Sequence, residues 1–232
     1  MIKAIAFIRR KAGVSREEFA RHYEAIHAPL GMRLIPSMRG YTRNHVLSAL
    51  GSDVDFDCIT TFWYDSLEAA LDVVNFAQSD AGKPLRDDEA TFMDSSKTVS
   101  IVVEERLTLP PPTPGRESLV KAVALLKRKA GLTREEFIDH YEQVHAPLIV
   151  RITPGLVGYA RNYVVTPPGG DLDFDSMTEL WHQDQAAFNA VLRSGDTEGG
   201  RERQRDEATF LDTQRIIFLH VQERVSITYR RE

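Results

Sequence analysis

The sequence predicts an α+β fold written twice: two β-α-β-β-α-β units of about 110 residues, each with its helices on one face of an antiparallel sheet. Three observations carry this expectation. The chain repeats itself at an offset of 118 residues, and between 11–44 and 129–162, 20 of 34 positions are identical. Each copy alternates short apolar runs suited to strands with capped, amphipathic stretches suited to helices. The register then holds to the end of each copy without insertion: Trp63 matches Trp181, Asp88-Glu89 matches Asp206-Glu207, and Glu105-Arg106 matches Glu223-Arg224. Because helices cover only one face of each predicted sheet, the other copy is the expected cover for the second face. Two sheets packed on each other would form a barrel-like core shared by both copies.

The first strand is expected over about 2–10, with its counterpart at 120–128. Residues 1–11 resemble a hydrophobic leader, but the apolar run is short and closes on Arg9, Arg10 and Lys11, and the counterpart lies mid-chain. A helix follows, with Ser15 and Thr133 as N-caps and Glu18 and Glu136 completing capping boxes. At 100° per residue Phe19, Tyr23, Ile26 and Leu30 share one arc and make its buried stripe, flanked by His22 and His27. Pro29 disfavours helical geometry at Ala28, so the helix is expected to break or kink near His27. The second strand spans about 40–47, with Tyr41, Arg43 and His45 on one face and Thr42, Asn44 and Val46 on the other. A third strand at 56–64, a helix at 66–77, a short helix at 87–93 and a fourth strand at 98–106 complete a ferredoxin-like unit. The units are read as 1–108 and 119–232, joined by a stiff, extended proline-rich linker over 109–118.

The net charge is −5 and the basic residues are dispersed, which argues against a nucleic-acid partner. No apolar run approaches the length of a membrane span. The single cysteine, Cys58, excludes an internal disulfide framework, and the chain reads as cytoplasmic. The Asp-x-Asp-Phe-Asp segments at 53–57 and 171–175 read as solvated turns and not as metal ligands, since no histidine stands at ligand spacing. No phosphate loop, dinucleotide-binding turn, Ser-His-Asp order or zinc cluster is present, so no cofactor or metal is called for.

The candidates for chemistry are paired by the repeat. His27 and His145, at the border of the buried face, are expected proton shuttles. Tyr41 and Tyr159 open the second strand of each copy, where a phenol can polarise a carbonyl. His22, His140, Trp63, Trp181, Asn44, Asn162, Phe92 and Phe210 are candidate substrate-binding residues, although Asn44 and Asn162 lie on the strand face opposite Tyr41 and Tyr159. Asp88-Glu89 and Asp206-Glu207 are expected to pair with Arg43 and Arg161. The copies differ where Thr61 faces Glu179, Tyr64 faces His182, Cys58 faces Ser176 and His45 faces Tyr163. Glu179 is therefore a candidate acid–base or histidine-orienting group in copy two alone.

Lys-x-Gly-x-[Ser/Thr]-x-Glu-Glu-Phe, His-Tyr-x-x-x-His-Ala-Pro-Leu, Gly-Tyr-x-Arg-Asn and Asp-Glu-x-x-Phe occur in both copies. Together they resemble the EthD family of the dimeric α/β-barrel superfamily, and they span nearly the whole chain. The resemblance implies a dimer of single-domain barrels fused into one polypeptide, with a further homodimer of the two-repeat chain as a possible assembly. It implies a small aromatic, lactone or polyketide-like carbonyl substrate in a catabolic or secondary-metabolic pathway. A cofactor-independent lyase or isomerase of dehydratase, isomerase or cyclase type is the leading expectation. A non-catalytic binding or accessory protein is the alternative, and a haem or flavin role the third.

Overall fold

The computed structural model describes residues 1–51, 53–113, 115–165 and 172–228. Asp171 of the second acidic segment and Pro114 of the linker lie outside the described residues.

Eight strands close into one antiparallel barrel in the order β1-β3-β2-β8-β5-β7-β6-β4, with β4 returning to β1. Copy one supplies β1 (Ile2–Ile8), β2 (Gly40–Leu50), β3 (Cys58–Tyr64) and β4 (Val99–Leu109). Copy two supplies β5 (Val120–Leu126), β6 (Leu156–Val164), β7 (Ser176–His182) and β8 (Ile217–Ile227). The copies join edge to edge, β4 to β6 and β2 to β8, so no strand edge is left open. The sheets expected to pack face to face are thus halves of one continuous wall.

Period-2 alternation sorts the side chains into two environments. Inward residues Ile5, Phe7, Ile59, Ile101, Val123, Met177 and Leu219 fill one end of the barrel, where Phe56 and Phe174 flank Phe7 at 5.1 and 5.5 Å between ring centroids. Outward residues of copy one pack under α1 (Arg16–His22) and α2 (Ala28–Leu34), backed by α3 (Leu67–Gln78) and α4 (Lys83–Phe92). In copy two the same seam lies under α5 (Arg134–His140) and α6 (Ala146–Ile152), with α7 (Gln185–Leu192) and α8 (Glu198–Phe210). No helix of the described residues is long and apolar enough to cross a membrane.

Both capping boxes form: the Ser15 and Thr133 hydroxyls accept the backbone N–H of Glu18 and Glu136, whose carboxylates accept back. Near His27, where a break or kink is expected, the helix does not break. The chain instead widens into a π turn over Tyr23–His27, and again over Tyr141–His145, before α2 and α6 continue. A π turn uses i→i+5 hydrogen bonds, and the extra residue rotates everything after it. Ile26, placed on the buried stripe by a regular wheel, is 51% exposed, while His27 is rotated inward to 6%.

Asp55 and Asp173 are exposed, as expected of turns, and the acidic segments are also ion-paired. Asp57 accepts the Arg10 backbone N–H at 3.0 Å and the Arg10 and Arg16 side chains at 3.1 Å, and Asp173 accepts Lys127 at 2.6 Å. They clasp the chain after the first strand of each copy. Within the linker Pro110, Pro111 and Thr113 line the mouth of the barrel, and a 3-10 turn forms at Arg116–Ser118.

Candidate functional site

The structure divides the sequence-predicted residues between two places. His22, His27, Tyr41, Phe92 and their counterparts His140, His145, Tyr159 and Phe210 lie in the helix–sheet seams. Glu179, Trp63, Trp181, Asn44 and Asn162 point into the barrel, on the other side of the sheet. Strand parity keeps the two sets apart.

In the barrel, the ladder sets Ala160 opposite Glu179 and Lys3 opposite Trp63, which brings a layer of charge beneath the mouth. Glu179 accepts Lys3 and Lys121, each at 2.7 Å, and the Asn162 amide at 2.9 Å. Lys3 also reaches Glu105 at 2.7 Å, and Lys121 reaches Glu223 at 2.6 Å. Arg116 clamps Glu223 through Nε and Nη2 at 2.6 and 2.7 Å and lies over the Trp181 ring at 4.7 Å. Three cations thus meet three carboxylates, which is how buried charge is made tolerable. Burial alone would raise Glu179, but Lys121 and Lys3 outweigh it and hold the carboxyl far below its usual range. It has no proton to exchange near neutral pH. The acid–base role expected for Glu179 does not fit this setting, and its partners are lysines from both copies. A 420 Å³ cavity opens above this layer, bordered by Trp63, Trp181 and Leu107.

The seams carry a different arrangement, built twice. The π turn brings His27 into line with His22, and one carboxylate from the facing helix bridges them. His22 Nε2 donates to Asp88 Oδ1 and His27 Nδ1 to Asp88 Oδ2, both at 2.8 Å. In copy two His140 Nε2 donates to Asp206 Oδ1 at 2.8 Å and His145 Nδ1 to Asp206 Oδ2 at 2.7 Å. The expected pairing of these acids with Arg43 and Arg161 is not made, because those arginines clamp Glu24 and Glu142. Phe92 and Phe210 pack against the imidazoles, at 4.4 and 5.2 Å from His22 and His27 and at 4.6 and 5.0 Å from His140 and His145. They act as the floor of the histidine pair.

Two hydrogen bonds to Asp206 fix the tautomer of its partners. Burial pulls that carboxyl upward, yet the bonds from His145 and His140 outweigh it and hold the group below its usual value. An ionised Asp206 accepts from Nδ1 of His145, so Nε2 is the ring nitrogen left free of that bond. In copy one burial dominates at His27 and pushes its pKa down, favouring the neutral ring.

In copy two His145 borders a cavity of 270 Å³ whose walls include Leu126, Ile149, Leu180 and Phe218. His145, Tyr141, Tyr159, Thr178, Arg203 and Glu207 supply its polar positions. The Tyr141 hydroxyl and Thr178 Oγ1 are hydrogen-bonded at 2.7 Å, and burial pushes the Tyr141 phenol up to about 12. Burial and the neighbouring Tyr141 push Tyr159 well up, so both phenols stay protonated. Glu207 is also raised, chiefly by burial. Copy one differs in its lining. Phe62 stacks on Tyr41 at 5.2 Å where copy two has Leu180, and buried Leu85 stands where copy two has Arg203.

Asp206, Glu207, Arg203 and Tyr141 were missed as site residues. The Asp-Glu-x-x-Phe repeat was visible, but only the π turn and the fold of α8 against it show that the aspartate reaches histidines 61 and 66 positions away. Among the described residues no cluster of histidine, cysteine or carboxylate side chains is arranged to hold a metal ion.

An anthrone oxidase-like protein shares the fold at a TM-score of 0.67 and 9% identity, over 99% of this chain and 94% of its own. A candidate monooxygenase of Fusobacterium nucleatum subsp. nucleatum gives 0.64 at 8% identity, over 98% and 94%. One of Lactobacillus acidophilus NCFM gives 0.58 at 10%, over 97% and 95%. At these identities the likeness is one of fold. No curated protein matches the chain. The EthD domain model matches twice, over residues 11–96 and 129–214, which takes in both histidine pairs, both bridging aspartates and both π turns. The chain belongs to the EthD domain family and carries the domain two times over.

Proposed function

We propose that the chain is a small-molecule enzyme whose working site is the copy-two seam, with His145 as general base. The observation that carries this is the Asp206–His145 pair opening on an apolar cavity that also holds two protonated phenols and Glu207. Each copy is a ferredoxin-like unit, 1–108 and 119–232, and the whole is a fused version of a two-chain barrel.

A carbonyl compound bound there with its α-carbon at His145 would lose a proton to Nε2. The C–H electron pair moves onto the carbonyl oxygen as an enolate, and Asp206 balances the imidazolium formed. Tyr159 and Tyr141 are the donors for the enolate oxygen, in a cavity whose walls are mostly apolar. The proton returns at another carbon in an isomerisation. In a dehydration it goes to a departing hydroxyl, with Glu207 as the second proton carrier. Proton removal is the chemistry this chain's residues supply in either case. The structural neighbours named for monooxygenase and anthrone oxidase roles favour a second reading, in which the same carbanion reacts with dioxygen. A volume of 270 Å³ lies below the ~300–1,000 Å³ typical of drug-sized ligand sites, so the cavity suits one or two rings and does not fit a porphyrin.

The test is hydrogen–deuterium exchange from D2O into the α-carbon of 2-tetralone. We expect His145→Ala to lower the catalysed rate by about 10²-fold or more, the usual scale for a general base, with little change in Tm, and His27→Ala to leave most of it. No catalysed exchange by the wild type would leave the seam as a binding pocket only.

A further inference from the structure

We infer that the copy-two seam is built for an anionic ligand, an apolar ring compound bearing a carboxylate that pairs with Arg203. This rests on the reading of that seam as the ligand site.

Among the described residues Arg203 is the one lysine or arginine on the wall of the 270 Å³ cavity, and it also borders an outer groove of 590 Å³ lined by Thr197, Gly199 and Arg151. It stands where the two spaces meet. In copy one the position is Leu85, 5% exposed, so an apolar residue satisfies the fold there and the guanidinium is not a packing requirement. The outer arginine, Arg151, is already held by Glu202. Among the described residues the ion-pair partner of Arg203 is Glu207, one turn away at 3.6 Å, too long for a good hydrogen bond. Its Nε is buried and has no hydrogen-bond partner.

A buried guanidinium N–H without an acceptor carries a desolvation cost that a ligand oxygen would remove. The planar fork of Arg203 matches a carboxylate in two-point geometry, and apolar walls strengthen the pairing. A ligand so anchored extends its ring system inward along Leu180 and Ile149 and presents its reactive carbon toward His145. Glu207, raised chiefly by burial, lies on the same wall of the cavity. Arg203 would then be a specificity residue that sets which end of the substrate faces out.

The experiment measures binding of 2-naphthoate and of methyl 2-naphthoate at pH 7 to the full chain by calorimetry. We expect the wild type to bind the acid about tenfold or more tightly than the ester, in line with a charge-assisted pair. Arg203→Leu, the residue copy one carries, should abolish that preference while keeping ester affinity, and Arg203→Lys should keep part of it. Equal affinity for acid and ester in the wild type, or a preference that survives Arg203→Leu, overturns the inference and leaves the seam reading standing. Failure of both compounds to bind overturns the seam reading itself.

Discussion

Two histidines with opposite environments give the chain a pH dependence that can be assigned residue by residue. His182 is fully buried with neither ring nitrogen hydrogen-bonded, and burial pushes its pKa down to about 4. The unfolded chain takes up that proton near pH 6.5, so stability falls as pH drops from about 6.5 to about 4, by up to ~3 kcal/mol. His182→Tyr, the residue of copy one, should flatten urea-melt midpoints across that window. His45 works the other way. Burial alone would lower it, but Cys58 and Glu24 beside it push it up to about 9. Its contribution is fully present below about 6.5 and is lost as pH rises through about 9. His45→Tyr, which copy two carries as Tyr163 on Glu142, should remove that alkaline loss in the same melts. The swaps between copies were visible in the sequence. Their meaning was not, because it depends on which face of the strand each residue occupies and on what packs above it.

At the scale of the element, the π turn is the feature a regular wheel misreads. The capping boxes, the strands and the order of elements follow from local pattern, and all appear within a few residues of their expected ends. A π turn leaves no comparable mark, since it inserts one residue without changing composition. Ile26→Glu and Val144→Glu should therefore cost less than about 0.5 kcal/mol, the usual range for exposed positions, although both look like core residues by spacing. By contrast Ser15→Ala removes a cap that is made and should cost about 1 kcal/mol. Chemical denaturation of the three variants checks both expectations. The π turn also makes the candidate site: it carries His27 and His145 inward to the aspartates of α4 and α8. The bridging carboxylate was legible as a repeated acid, but its partner was misassigned to arginine because only tertiary register brings it to the histidines.

For the whole molecule, the charged layer in the barrel is a pin between the copies. Lys3 belongs to copy one and Lys121 to copy two, and both end on Glu179. Glu179→Gln leaves two buried ammonium groups short of a partner and should cost about 3–5 kcal/mol in urea melts. It should leave the seam geometry of His145 intact. The tandem repeat announced a shared barrel, and the barrel was found. The difference between Thr61 and Glu179 marks Glu179 as a site candidate in the sequence, but its place relative to Tyr159 depends on the β6–β7 register, which the sequence does not contain. Ligand is expected to enter the copy-two seam and not the barrel. The chain's two tryptophans, Trp63 and Trp181, both line the barrel mouth, so their indole N–H signals report that space alone. Titrating isotope-labelled protein with 2-tetralone while following indole and histidine resonances is the most direct test. We expect His145 to shift with the indole signals unmoved; shifts at Trp63 and Trp181 with His145 unmoved would place the ligand in the barrel instead.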